Sequence, residues 1–241
     1  MGVWVNGQQV GILAGNGDVD PANLNTNENV NLFFDNTGDD YNTEMDGFTL
    51  TLTLTMNVVP DQVNSIRIGI ADVADANYDS NLLIAGDSIQ TDLVAQSDAI
   101  SMFTDRSKIL DVLANDANYT GGVLTITHIN GVAVTAGDSV TLATGQVITL
   151  HADGTFTVDS DSDFETVNFT YEVESSTGEV DTGFVTIATV PCFVAGTLIE
   201  TETGQRRVED LKPDDRVWTM DRGLQPLRWI GENMVPRRVL N

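Results

Sequence analysis

Apolar and polar residues alternate with period two along most of this chain, the spacing that sends successive side chains to opposite faces of a β-strand. Phe48-Thr49-Leu50-Thr51-Leu52-Thr53-Leu54-Thr55-Met56 alternates almost without a break and predicts a half-buried antiparallel strand with Phe, Leu and Met on one face. Val3 to Val10 reads as a hairpin turning at Asn6-Gly7, a pair that tolerates the positive φ of a tight turn. Ser65–Ala71 and Leu82-Leu83-Ile84 predict two more strands, and Asn16 to Asn31 a polar loop. From Ile109 a denser series begins: 123–129, 132–134, 139–142, 147–151, 155–158, 167–173 and 183–187. Asn130-Gly131, Ala136-Gly137-Asp138, Thr144-Gly145, Asp153-Gly154 and Thr177-Gly178 punctuate it as turns. About seven short strands at this spacing is what an immunoglobulin-like sandwich requires. No helical period is visible before Cys192. The stretch from about Thr91 to Met102 is weakly patterned and predicts a linker.

Charge divides the same chain differently. Of 241 residues, 36 are acidic and 11 basic, a net charge of −25. Before Cys192 the basic residues are Arg67, Arg106 and Lys108 alone; Arg206, Arg207, Lys212, Arg216, Arg222, Arg228, Arg237 and Arg238 all follow it. So abrupt a shift predicts a domain boundary at Pro191-Cys192. A field this negative repels phosphate backbones and anionic membranes, which excludes nucleic acid as a partner for the whole chain. One cysteine allows no internal disulfide. No apolar run approaches a membrane span, so insertion is not expected, and the start shows no signal peptide. Export through a C-terminal signal outside this sequence is the expected route to an extracellular location.

Three resemblances sharpen the division. Leu110-Asp111-Val112-Leu113-Ala114-Asn115-Asp116, Asp153-Gly154-Thr155-Phe156 and 167–173 make residues 105–190 resemble a bacterial cadherin-like or Ig-like domain. Asp46-Gly47-Phe48-Thr49, Ile68-Gly69-Ile70-Ala71-Asp72 and Tyr78-Asp79-Ser80-Asn81-Leu82 make residues 1–92 resemble the tail of a choice-of-anchor surface domain. Such domains run longer upstream, which places Met1 inside the domain. Residues 93–104 are then the linker. Cys192-Phe193-Val194-Ala195-Gly196-Thr197, with Val208-Glu209-Asp210-Leu211, Asp215-Arg216-Val217 and 225–231, resembles the opening of a Hint (hedgehog/intein) domain. It departs at Asp214, where that family commonly has Gly; a left-handed turn there would strain most residues, Asp less than others. The expected fold class is all-β: tandem antiparallel β-sandwiches, jelly-roll or lectin-like and then Ig/cadherin-like, followed by an incomplete β-rich Hint domain at 191–241.

The Hint resemblance implies a chemistry. The Cys192 thiol would attack the carbonyl of Pro191, an N-to-S acyl shift that turns an amide into a thioester for a further nucleophile to cleave. Gly196 and Thr197 belong to the motif that shapes this site. No cofactor is implied, the activity is at most a single-turnover self-cleavage, and the acceptor nucleophile is unspecified. The thiol, with a pKa near ~8.5, must ionise, and the leaving nitrogen must be protonated. Family members use a His of a second motif for that step. Here the two histidines, His128 and His151, lie in predicted sandwich strands. A missing general acid costs about 10²–10⁴ in rate, so the complete protein is expected to self-process and residues 1–241 alone are not. Residues after 192 are further expected to be less stable than the middle domain, because their apolar positions lack covering strands.

Acid pattern suggests the one candidate cofactor, Ca²⁺. Asp159, Asp161, Asp163 and Glu165 fall on every second residue, so an extended chain would crowd them on one side, where a hard dication relieves repulsion. Asp111, Asn115 and Asp116, at the domain entrance, are a second candidate set, and Asp72, Asp75 and Asp79 a third. The competing reading of each is a solvated acidic face that guards strand edges. Trp4, Phe33, Phe34, Tyr41, Phe48 and Tyr78 read first as core, with a glycan-binding face as the alternative. The rival to self-processing is therefore a calcium-binding adhesion or matrix module whose partner is a cell-surface glycan or matrix component.

Overall fold

The computed structural model describes residues 1–11, 13, 14, 17–71, 80–84, 86, 89–190, 193, 195–220 and 222–230. It is all-β, built of several separate sheets with no barrel, as tandem sandwiches require. Two compact units meet in sequence at Val190 and Pro191.

The densest strand series builds the centre of the first unit. Val132–Ala133, Leu124–Ile129, Thr166–Ser175, Val180–Val190 and Asp98–Phe103 lie side by side in a five-stranded sheet. The long central pair runs antiparallel from Thr166 opposite Ala188 to Glu174 opposite Val180. Ser107–Leu110, Phe156–Asp159, Val147–Leu150 and Ser139–Thr141 form the second sheet. The period-two pattern is what fills the space between them: Ile148, Leu150, Phe156 and Val158 share one buried cluster with Phe169, Tyr171, Val173, Val185 and Ile187. Each side chain so buried contributes about 1.5–3 kcal/mol. At Asn130-Gly131 both φ angles are positive, 49° and 75°, which lets a two-residue turn follow the strand twist.

Residues 93–104 are not the bare linker expected. Leu93–Val94 pairs with Ala117–Asn118, and Asp98–Phe103 joins the five-stranded sheet as a parallel edge strand, Val185 opposite Asp98. Leu93, Ile100 and Met102 are core residues. Their alternation is too short to stand out among the polar residues around it, and only the parallel pairing with a distant strand gives it meaning.

The N-terminal segment is a set of small ladders. Gly2–Val5 turns through Asn6-Gly7 into Gln8–Val10, as expected, and takes Ile66–Gly69 on its other side. Phe33–Asp35 pairs with Gly47–Thr49. Beyond Thr49 the predicted strand persists only as burial: Leu50 is buried, Leu52, Leu54 and Met56 half-buried, and the threonines between them exposed. The ladder itself stops at Thr49. Leu82-Leu83-Ile84 forms no strand either, and Leu83 is 78% exposed. Leu24, Leu32 and Leu50 gather instead with Phe184 of the central sheet. That covers the face of Thr166–Ser175 which would otherwise meet water, and explains why Asn168 and Thr170 are buried. Two buried amides donate across the contact, Asn168 Nδ2 to Asn29 Oδ1 at 3.1 Å and Asn31 Nδ2 to Thr144 Oγ1 at 2.9 Å, while Asn31 Oδ1 is buried without a partner.

The second unit is a four-stranded antiparallel sheet in the order Gly204–Arg207, Leu198–Thr201, Arg216–Thr219, Gly223–Pro226. Asp214 adopts φ 75°, the left-handed turn anticipated at this departure from Gly. Among the described residues, Leu211 is the buried apolar side chain of this unit, whereas Leu198, Trp218 and Trp229 are 55%, 57% and 76% exposed.

Candidate functional site

Pro191 and Cys192, the expected acyl donor and nucleophile, lie outside the described residues. Downstream of them, Gly196 turns with φ 91°, a conformation that favours glycine, and delivers the chain into Leu198–Thr201. Its N–H donates to Glu209 Oε2 at 2.7 Å. One residue on, the carbonyl of Thr197 accepts from the Val208 amide at 2.8 Å. Val208–Asp210 is a single 3₁₀ turn, closed by Leu211 N–H donating to Val208 O at 3.2 Å. The Gly196 amide, Glu209's own amide and the nearby Arg207 hold the Glu209 carboxyl below its usual value. Arg206 reinforces the turn, donating through Nη1 to Asp215 Oδ2 at 2.8 Å and through Nη2 to the Asp210 carbonyl. The Lys212 amide donates to the same Asp215 oxygen at 2.7 Å.

Both histidines are engaged within the sandwich. His128 Nδ1 is 2.7 Å from Glu172 Oε1, and His151 Nε2 is 2.6 Å from Thr157 Oγ1.

The acidic residues are spread over different tasks. Asp159 stands in a ladder and accepts from Ser107 Oγ. Asp161 accepts the amide of Asp163 at 3.2 Å, a local turn, and the Asp163 carbonyl accepts from Thr189 Oγ1 at 2.7 Å. Asn115 donates to Ser97 O at 3.2 Å. Asp116 accepts from the Gln96 amide at 2.8 Å and from the Tyr171 hydroxyl at 3.1 Å. Asp111 is exposed. Asp72, Asp75 and Asp79 lie outside the described residues, as does Tyr78. Among the described residues no group of three or more His, Cys, Asp or Glu is placed to hold a metal ion.

A charged cluster that the sequence pattern does not reveal forms around Tyr171. Burial, then the charge of Asp116, pushes the Asp98 carboxyl up to about 7. Asp98 Oδ2 is buried without a hydrogen-bond partner. Burial also raises Asp116 and Asp181, and raises the Tyr171 hydroxyl far above its ordinary value. Asp98 and Asp181 sit far apart in sequence, and no local spacing links either to Asp116.

Of the aromatic residues proposed as core or glycan platform, Phe34, Tyr41 and Phe48 do come together, with ring centroids 5.0–5.4 Å apart. Tyr41 is 43% exposed at the edge of that group.

Comparison with known families follows the same partition. Residues 8–90 match the choice-of-anchor L domain, 90–188 the bacterial Ig domain, and 191–240 the Hint domain. The chain thus carries regions similar to these three domains in that order. The Ig match begins at residue 90, so it takes in Asp98–Phe103 as part of the domain, in agreement with the sheet. No curated protein matches the chain. Among the described residues no helix is long and apolar enough to cross a membrane.

Proposed function

We propose that this is a bacterial surface or extracellular multidomain protein that cuts itself at Pro191–Cys192. In the reaction, Cys192 Sγ attacks the Pro191 carbonyl carbon as a thiolate. The C–N bond breaks as the amide nitrogen takes up a proton, leaving Pro191 as a thioester on Cys192, whose amine is now free. Water or a thiol then attacks the same carbonyl, the C–S bond breaks, and the portion ending at Pro191 is released or transferred.

One observation carries this reading: the Hint match opens at residue 191, directly after the last sandwich strand, Val180–Val190, ends. In sequence, the scissile bond would thus fall where the sandwich ends and the Hint match begins. Gly196 and Thr197, pinned to the Val208–Asp210 turn, give the nucleophile's loop a fixed footing. Surface placement rests on the company of anchor-type and bacterial Ig domains.

The test is the intact mass of the natural gene product and of its Cys192→Ala variant, incubated with and without a strong thiol. A species ending at Pro191 is expected, faster with thiol and missing from the variant. An uncut product under every condition would remove self-processing and leave a display or adhesion role.

A further inference from the structure

We propose that Glu209 is a positioning residue for the Pro191–Cys192 reaction: its carboxylate, by holding the Gly196 N–H, fixes the loop that carries the nucleophile. The inference rests on the self-processing reading above. It starts from the main chain. Gly196 lies four residues after Cys192, and with φ 91° its amide is turned out of the sheet ladder that begins at Leu198. That residue is exposed to water, and the protein partner of its amide is the Glu209 side chain, Oε2 accepting at 2.7 Å.

The loop is therefore held at two successive residues. Thr197 O is bonded to the Val208 amide, main chain to main chain, and survives any side-chain change. Among the described residues, Gly196 N–H is held by the Glu209 side chain. Glu209 can serve as a fixed point because its turn is itself fixed. Leu211, 7% exposed, anchors the exit of the turn, and Arg206 ties the Asp210 carbonyl to Asp215. The carboxylate stays ionised at neutral pH, held low by the Gly196 amide, its own amide and Arg207, so the bond is a charge-assisted one.

Release of this bond would leave the loop hinged on Thr197 with the glycine free. Nucleophilic attack needs the reacting atoms held at about 3–3.5 Å, and small misplacements are costly in rate. Glu209 is exposed, so the fold should not depend on it. A glutamine here keeps an acceptor oxygen, whereas an alanine removes it.

Two measurements test the idea on the full gene product. The first is the cleavage rate of wild type, Glu209→Gln and Glu209→Ala at saturating thiol, with the thermal midpoint of each. Alanine is expected to slow cleavage about five- to tenfold, the loss of one such hydrogen bond, with glutamine close to wild type and the midpoints alike. The second is exchange of the Gly196 amide, read by NMR in the uncleavable Cys192→Ala background, where alanine at 209 should accelerate exchange by a similar factor. Cleavage at the wild-type rate despite faster exchange would overturn the positioning role. Unchanged exchange would overturn the hydrogen bond itself. A lowered midpoint tracking the rate loss would make Glu209 merely structural. If wild type is never cut, the self-processing reading fails and takes the positioning role with it, while the exchange result still decides the clamp.

Discussion

Asp98 begins the parallel edge strand of the sandwich, and its Oδ2 is buried with nothing donating to it. Burial and the neighbouring Asp116 raise its pKa from 3.8 to about 7, and the sign of the consequence is fixed. Between about pH 4 and pH 7 the folded protein holds a proton that the unfolded chain has released, so stability falls as pH rises through that window. Asp116, Asp181 and Glu165 are pushed upward by burial too and act in the same direction. Asp35, Asp138 and Asp153, held low by threonine amides and hydroxyls, act only at more acid pH. Urea unfolding should therefore show a first unit more stable at pH 5 than at pH 8. Asp98→Asn should raise the pH 8 value by about 1–2 kcal/mol, a full shift discounted for solvent screening of a partly buried group. It should also flatten the slope. A variant with the wild-type slope would mean that Asp98 ionises normally and that its neighbours own the effect.

Among the elements, the pair Thr166–Ser175 and Val180–Val190 holds the sandwich together, and its tightest point is Tyr171 against Gly183. A Cβ on Gly183 would stand 2.2 Å from Tyr171 Cε1 and Cζ. The ring it would displace packs edge-on against Phe156 at 6.1 Å, and its hydroxyl donates to Val112 O at 3.0 Å. Gly183→Ala should lower stability by about 1–3 kcal/mol, the range for overpacking a filled core. Tyr171→Phe should cost about 1–3 kcal/mol by removing the single hydroxyl proton that Val112 O and Asp116 share. Calorimetry on both variants checks this, and an unperturbed Gly183→Ala protein would mean that the two strands can spread at no cost. This pair was legible in the sequence because long alternation and flanking turns are local signals. Asp98–Phe103 was not, since six residues of weak pattern gain their place only from a strand more than eighty residues on. The opposite error, at Phe48–Met56, has a related cause: alternation reports which side chains are buried, not whether the backbone has a partner. The candidate site divides the same way. The Hint motif was readable because its residues are consecutive, and Asp214's left-handed turn could be foreseen from the Gly it replaces. The Gly196–Glu209 bond was not, because the motif names both segments but says nothing of which atoms meet.

At the scale of the whole molecule, charge divides the chain where the fold does. Arg67, Arg106 and Lys108 are the cations of the first unit, set against an acidic majority, while the two signs balance after Pro191. A compact body of such charge repels itself, and that repulsion is screened by salt. The thermal midpoint of the first unit should thus rise steadily as NaCl is raised toward 1 M, where the Debye length falls to about 3 Å. The second unit, electrically balanced, should hardly respond. Divalent cations sharpen the test, because screening depends on ionic strength whereas a site depends on geometry. Asp159, Asp161 and Asp116 each accept from donors of their own, and among the described residues no three acids are placed to hold a metal ion. Neither the Asp159–Asp163 run nor the domain entrance should accordingly favour calcium over magnesium at equal ionic strength. Calcium in excess of magnesium, lost in Asp111→Asn or Asp116→Asn, would mean that the domain entrance rearranges around the ion. The upward-shifted carboxylates around Tyr171 would then be the empty form of that site, and the pH dependence expected of Asp98 would vanish in saturating calcium.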